Sequence, residues 1–317
     1  MRFRIRDARG AVYVEFIICF LPVFLLFLGV VQLSFIASAN LVVQHAAVMG
    51  ARSAIVVLED DDPERYGQEG FGVIDYGGSS RRSGNDPVMS RLAGWFGGTV
   101  GNLAGRAGLS RGGPRLGDIR KAVYLPLLAI APPPQLVVRW FNTGPRRAFG
   151  SIRARESLYE AIGRSPWHRF AAGLLYNRAA AVVTFHRPGS QEIFEGAFGP
   201  TDSVTVRVTY LFHCAVPLVS RFTCDRPFGL SGVEANAREI RAAVSNPNRL
   251  DPQELAGMIG ETRRSVQQVR QNLELFSRAE SFALTLTLVL ADARFAQLGA
   301  EATMPIQGAG YYRRGDD

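Results

Sequence analysis

Glu15 stands where an acid is costly: directly before the apolar run Phe16–Ile36, which has no charged residue and one amide, Gln32. A carboxylate at mid-bilayer costs roughly 2.5–3.5 kcal/mol on insertion scales, and less at the edge, where a partner is still favoured. The tripeptide Arg9-Gly10-Ala11 lies about one helical turn upstream. Cleavage after Gly10 would give Ala11 a cationic amine within reach of Glu15, and an acid in a first helical turn also suits the helix dipole. The amine of a neighbouring copy would serve equally, making the pair an assembly device. In the blander reading, Glu15 snorkels to the headgroups without a partner.

Other reactive side chains form weaker patterns. Cys214 and Cys224 are close enough in sequence to close a short loop, either as a disulfide in an oxidising compartment or as two free thiols. Cys19 lies in the apolar run and is read as an apolar side chain. His45, His168, His186 and His213 form no triad and show no metal-ligand spacing, so no metal and no cofactor is expected. Gly108-Leu109-Ser110-Arg111-Gly112 has the form of a nucleophile elbow, but it sits in a Gly/Arg-rich stretch rather than between a buried strand and a helix. Glu192 and Glu195 are read as solvated acids. Nothing here argues for an enzyme.

The elements that must position Glu15 begin with the apolar run, long enough at about 1.5 Å per residue to cross a bilayer as one helix. Arg2, Arg4, Arg6 and Arg9 precede it, while Glu59, Asp60, Asp61, Asp62 and Glu64 follow. This asymmetry places the N-terminus in the cytoplasm and the remainder outside. Helical character continues through Asn40–Leu58, where Ala46, Ala47, Gly50, Ala51 and Ala54 form a face that another helix can approach closely. Three processing fates remain open: cleavage at Ala37-Ser38-Ala39 as a secretory signal, retention as an uncut anchor, or cleavage after Gly10 on the cytoplasmic side.

Four regions follow: a basic cytoplasmic leader (1–10), a transmembrane and extended helix (11–58), a Gly/Arg-rich loop or linker (59–118) and an exported α+β domain (119–317). Within the linker, Val88–Leu109 reads as a partly ordered loop. In the domain, 122–131 reads as a buried segment, 151–162 as a short helix and 179–186 as a strand. The clearest strand is 201–214, where Val204, Val206, Val208 and Tyr210 alternate with Thr205, Arg207 and Thr209. Asp251-Pro252-Gln253-Glu254 opens a helix running to about Arg278. The alternation of Phe282, Leu284, Leu286 and Leu288 suggests a last strand. The fold class is therefore α+β, a long N-terminal helix leading into a domain with a small antiparallel sheet.

The 317 residues carry 36 basic and 28 acidic groups, a formal +8. All the basic groups but Lys121 are arginines, scattered along the chain with a few adjacent pairs but no long basic run and no RNA-recognition aromatic motif, so nucleic acid is not an expected partner. With 47% hydrophobic residues the chain has enough apolar surface for a core. A single apolar run of spanning length excludes a multi-span membrane protein.

Arg9-Gly10-Ala11, Val14-Glu15-Phe16, Pro22, Gly29 and the distal Ala46-Ala47…Gly50-Ala51-Arg52 together resemble the TadE-like pseudopilins of tight-adherence (Tad, type IVb) pilus systems. Fainter likenesses are Val204–Tyr210, leading to Val216-Pro217-Leu218, and the C-terminal 300–308. The resemblance implies cleavage between Gly10 and Ala11 by a prepilin peptidase, with Glu15 needed for processing or assembly. It further implies a minor, non-catalytic subunit in the bacterial inner membrane that contacts other pilus or pseudopilin subunits, its C-terminal domain periplasmic or carried outward in a pilus. The alternative is a signal-anchored periplasmic binding protein or enzyme unrelated to pili.

Overall fold

The computed structural model describes residues 9–60, 66, 72–77, 112–143, 166–199, 201–230, 232, 236, 252–281, 284, 285, 288 and 293–306. The segments 88–109 and 151–162 and the elbow-like Ser110 lie outside these described residues.

The apolar run and the small-residue segment after it form one helix, α1 (Arg9–Glu59), of 51 residues. At about 1.5 Å per residue it is about 77 Å long. Pro22 lies inside it without ending it. The helix changes character along its length. Tyr13, Phe16, Ile17, Phe20, Val23, Leu26, Phe27 and Val30 are all exposed. From Gln32 onward one stripe is buried: Gln32, Ala39, Val43, Ala46, Ala47, Ala51, Ala54 and Leu58. That spacing is the helical period, so one face of the distal half belongs to the core of the head.

Against this stripe lie α2 (Pro114–Leu127) and a three-stranded antiparallel sheet ordered β1 (Ala181–His186), β2 (Ser203–His213), β3 (Phe295–Pro305). The small residues of α1 therefore receive elements of the same chain. A Cβ on Gly50 would stand 2.7 Å from Val123 Cγ2 of α2 and 3.2 Å from Val206 Cγ1 of β2, so a side chain there would push these valines out of place. On β2, Val204, Val206, Val208 and Tyr210 are fully buried. The alternate side carries polar cross-strand pairs, Thr205 with Thr303 at 2.8 Å and Arg207 with Glu301. The result is a two-layer α+β head built on the distal half of α1.

The remaining longer helices among the described residues are α3 (Pro134–Thr143), α4 (Pro166–Ala180) and α5 (Pro252–Ser277). Pro114, Pro134, Pro166 and Pro252 each open a helix, where the missing N–H goes unneeded. Segment 122–131, expected to be buried, is mainly the end of α2 and is only partly so: Val123, Tyr124 and Leu127 are buried, while Leu125 is 58% exposed, because an amphipathic helix covers one face. Because α2 starts at Pro114, regular structure begins inside the stretch read as linker through 118. The strand expected at 179–186 begins at Ala181, after α4.

One expected strand is helical at the residues the structure describes. In 282–288, Leu284, Thr285 and Leu288 have helical geometry, and the amides of Leu284 and Thr285 donate to Ser281 O. Buried Leu284 and Leu288 are four apart and so share a helix face, and the Thr285 hydroxyl donates to Ala179 O at 2.7 Å. A short apolar run satisfied both periods, and tertiary packing selected the helical one. The third strand is β3, further along the chain.

Candidate functional site

The residues singled out at the leader boundary all fall on α1. Gly10 and Ala11 lie in its first turn, and Glu15 follows on its exposed surface. Beyond Glu15 the side chains exposed on all sides are aromatic or aliphatic, with Phe16, Phe20 and Phe24 stacked at centroid distances of 5.3 and 5.6 Å. Free Cys19 is one of these exposed groups. The helix is long and apolar enough to cross a membrane.

The bare stretch ends at Gln32. This side chain, the one amide in the apolar run, is fully buried. Its Oε1 accepts the Val216 backbone N–H at 3.1 Å, and its Nε2 lies 3.9 Å from Cys224 Sγ. The run 16–36 thus enters the head before its apolar sequence ends. Val216 belongs to a loop closed by a Cys214–Cys224 disulfide with a Cα–Cα distance of 6.5 Å. Arg294 donates to Cys224 O at 3.3 Å, and Asp225 exchanges backbone hydrogen bonds with Phe295, which fastens the loop to the start of β3. A loop of this length closed by a disulfide gains about 2–3 kcal/mol from the lowered entropy of the unfolded chain.

At the other end, α1 is capped by a side chain from outside the helix. Arg115 Nη1 donates to Val57 O at 2.8 Å and Leu58 O at 3.1 Å, with its guanidinium 4.7 Å from the Tyr66 ring centroid. The last carbonyls of a helix lack intrahelical donors and carry the negative end of its dipole, so a cation there satisfies both. Arg120 is also buried, donating to Arg278 O at 2.6 Å. A third buried arginine, Arg178, pairs with Glu280 at 2.9 Å. These groups read from sequence as surface charge. What hides their burial is that most of their partners are backbone carbonyls, which leave no mark in composition.

The remaining candidates do not converge. His45 is exposed on α1. His186 bonds Thr184 Oγ1 at 3.0 Å and Glu192 O at 2.8 Å; burial, then Arg207, lower its pKa. His213 packs against Trp140 and Phe295, and burial lowers its pKa to about 4. The side chain of His168 is outside the described residues. Tyr76, Tyr124, Tyr176 and Tyr210 are held neutral by burial. Glu195 is ion-paired with Arg278 at an open cleft of about 580 Å³ lined also by Asp75, Tyr76 and Glu274. Among the described residues no three His, Cys, Asp or Glu side chains are grouped to hold a metal.

A family described as TadE-like protein matches residues 10–52, which are nearly the whole of α1. No curated protein and no solved structure gives a significant match.

Proposed function

We propose that this chain, whose long helix carries a TadE-like segment, is a minor structural pseudopilin of a Tad-type pilus or secretion assembly. The leader is removed after Gly10 by a prepilin peptidase on the cytoplasmic face. The new amine of Ala11 engages Glu15, of the same chain or of a neighbouring subunit. The apolar part of α1 stays in the inner membrane until it packs among other pilus or pseudopilin subunits, with the head on the exported side.

The observation that carries this reading is the division of labour along α1. Its proximal half is apolar and bare on every side, while one face of its distal half is the central element of the head core. A helix with both properties is retained as part of the folded molecule, and a removable secretory signal has no use for the second. The Cys214–Cys224 disulfide fits an oxidising compartment, and the leader arginines fit a cytoplasmic N-terminus.

Mass spectrometry of the chain purified from cells with an active prepilin peptidase tests the reading. The expected mature product begins at Ala11, and Gly10→Leu leaves Met1 in place. Glu15→Ala is expected to abolish assembly while the head still folds. A mature chain that retains the leader, or one that begins at Asn40, overturns the proposal in favour of a plain anchor or a secreted protein.

A further inference from the structure

The disulfide loop carries large apolar groups that stand exposed among the described residues. Phe222 is 84% exposed and Leu218 is 55% exposed, and they sit four residues apart on the arch between Cys214 and Cys224. Leu218 holds φ at 66°, a left-handed conformation costing a branched side chain roughly 1–2 kcal/mol. Glycine or asparagine would adopt it more easily. A strained backbone that holds a leucine outward calls for a function at that point.

The loop's position identifies what covers it. Gln32 binds Val216 and approaches Cys224, so the arch meets α1 where the bare apolar stretch gives way to the head. Gln32 is the first buried position on α1 among the described residues and all the others follow it toward the C-terminus, so the arch is at the end of the head nearest the bare stretch. From Tyr13 to Val30 the bare helix covers about 27 Å, close to the hydrocarbon thickness of about 30 Å. The arch therefore lies at the bilayer surface, its apolar tips continuous with the lipid-facing surface of α1. Arg221, between Leu218 and Phe222, is also exposed. An apolar pair flanking a cation matches the boundary of acyl chains and phosphates.

We propose that the Cys214–Cys224 arch is a membrane foot. Leu218 and Phe222 insert into the outer leaflet's interfacial region, Arg221 meets lipid phosphate, and the disulfide and Gln32 hold the arch at that depth. This sets the height and rotation of the head over the bilayer while the subunit waits in the membrane. The inference rests on α1 being a membrane anchor but requires neither leader cleavage nor pilus assembly.

The test uses the full chain in vesicles of phosphatidylcholine and phosphatidylglycerol containing lipid brominated near the headgroup end of its acyl chains. Phe222→Trp, Leu26→Trp and Val56→Trp variants are compared with the parent chain, and the added emission is read. Leu26 lies on the bare stretch of α1, and Val56 is exposed on its distal part. The expected result is that the emission added at 222 is shifted to the blue and largely quenched, that at 26 is quenched, and that at 56 is neither. Unquenched emission at 222 with quenching at 26 overturns the foot and leaves the anchor standing. Emission at 222 that is blue-shifted yet unquenched also overturns it, because protein rather than lipid then covers the arch. Unquenched emission at both 26 and 222 removes the anchor and the foot together.

Discussion

Replacing Arg115 with methionine removes the cation that closes α1 while keeping an unbranched side chain of similar reach. One nitrogen, Nη1, makes both bonds, to Val57 O and Leu58 O. Hydrogen bonds from a charged donor contribute about 1.5–3 kcal/mol each, and two buried carbonyls lose their partner at once. Relief of the arginine's own desolvation offsets part of this. The net loss expected is about 3 kcal/mol, or a fall of about 4–5 °C in Tm for a chain of this size. Arg115→Lys keeps one cationic nitrogen but gives up the planar group beside Tyr66, so its loss should be intermediate. The assay is thermal unfolding of the full chain in detergent, followed by circular dichroism. Amide hydrogen exchange across the last turn of α1 accompanies it. Faster exchange at Leu58 and Glu59 with a lowered Tm is the expected pair of results. An unchanged Tm together with unchanged exchange in that turn would refute the capping argument, because the two carbonyls would then have been satisfied without Arg115.

Three further outcomes follow from the packing. Replacing both Cys214 and Cys224 with serine should cost about 2–3 kcal/mol and remove the reductant sensitivity of unfolding, measured in guanidinium with and without dithiothreitol. Gly50→Val should destabilise the head by about 1–3 kcal/mol, since its Cβ would meet Val123 Cγ2 at 2.7 Å, whereas Gly29→Ala should be neutral or better because nothing lies within 4 Å. His213 is neutral in the native state with a pKa lowered to about 4, while the unfolded chain takes up that proton near pH 6.5. Its contribution is therefore constant above that pH and is lost as the pH falls toward 4. Between pH 7 and pH 5 the loss is about 2 kcal/mol, and urea unfolding of His213→Phe should show a correspondingly flatter pH dependence.

The parts of the fold legible in sequence were those with one dominant period. Phe16–Ile36 and the spaced alanines after it read as a single helix, and Val204, Val206, Val208 and Tyr210 read as a strand because each polar neighbour faces the other side. Strand β3 was missed although Leu298, Ala300, Ala302 and Met304 alternate with Gly299, Glu301 and Thr303. Alanine and glycine carry little apolar weight, and only a narrow band of this strand is covered, so its signal was fainter than the accidental alternation at 282–288. The apolar run also concealed where the head begins. Gln32 was visible as one amide among aliphatics, but its partner Val216 lies 184 residues away, and no local pattern reports a contact of that range. The buried arginines were hidden for the same reason, since their carbonyl acceptors come from distant turns of the chain.

Because the distal half of α1 is a structural member of the head, the bare apolar rod and the folded domain are one mechanical beam. Traction on the greasy end loads the seam where Gly50 meets Val123 and Val206 directly, with no slack linker to absorb it. Any piston-like displacement of that rod moves the whole head as a rigid load. It also follows that trimming the chain to obtain a water-soluble fragment must begin no later than Gln32, since a cut beyond that point draws a stave out of the barrel rather than untying a string.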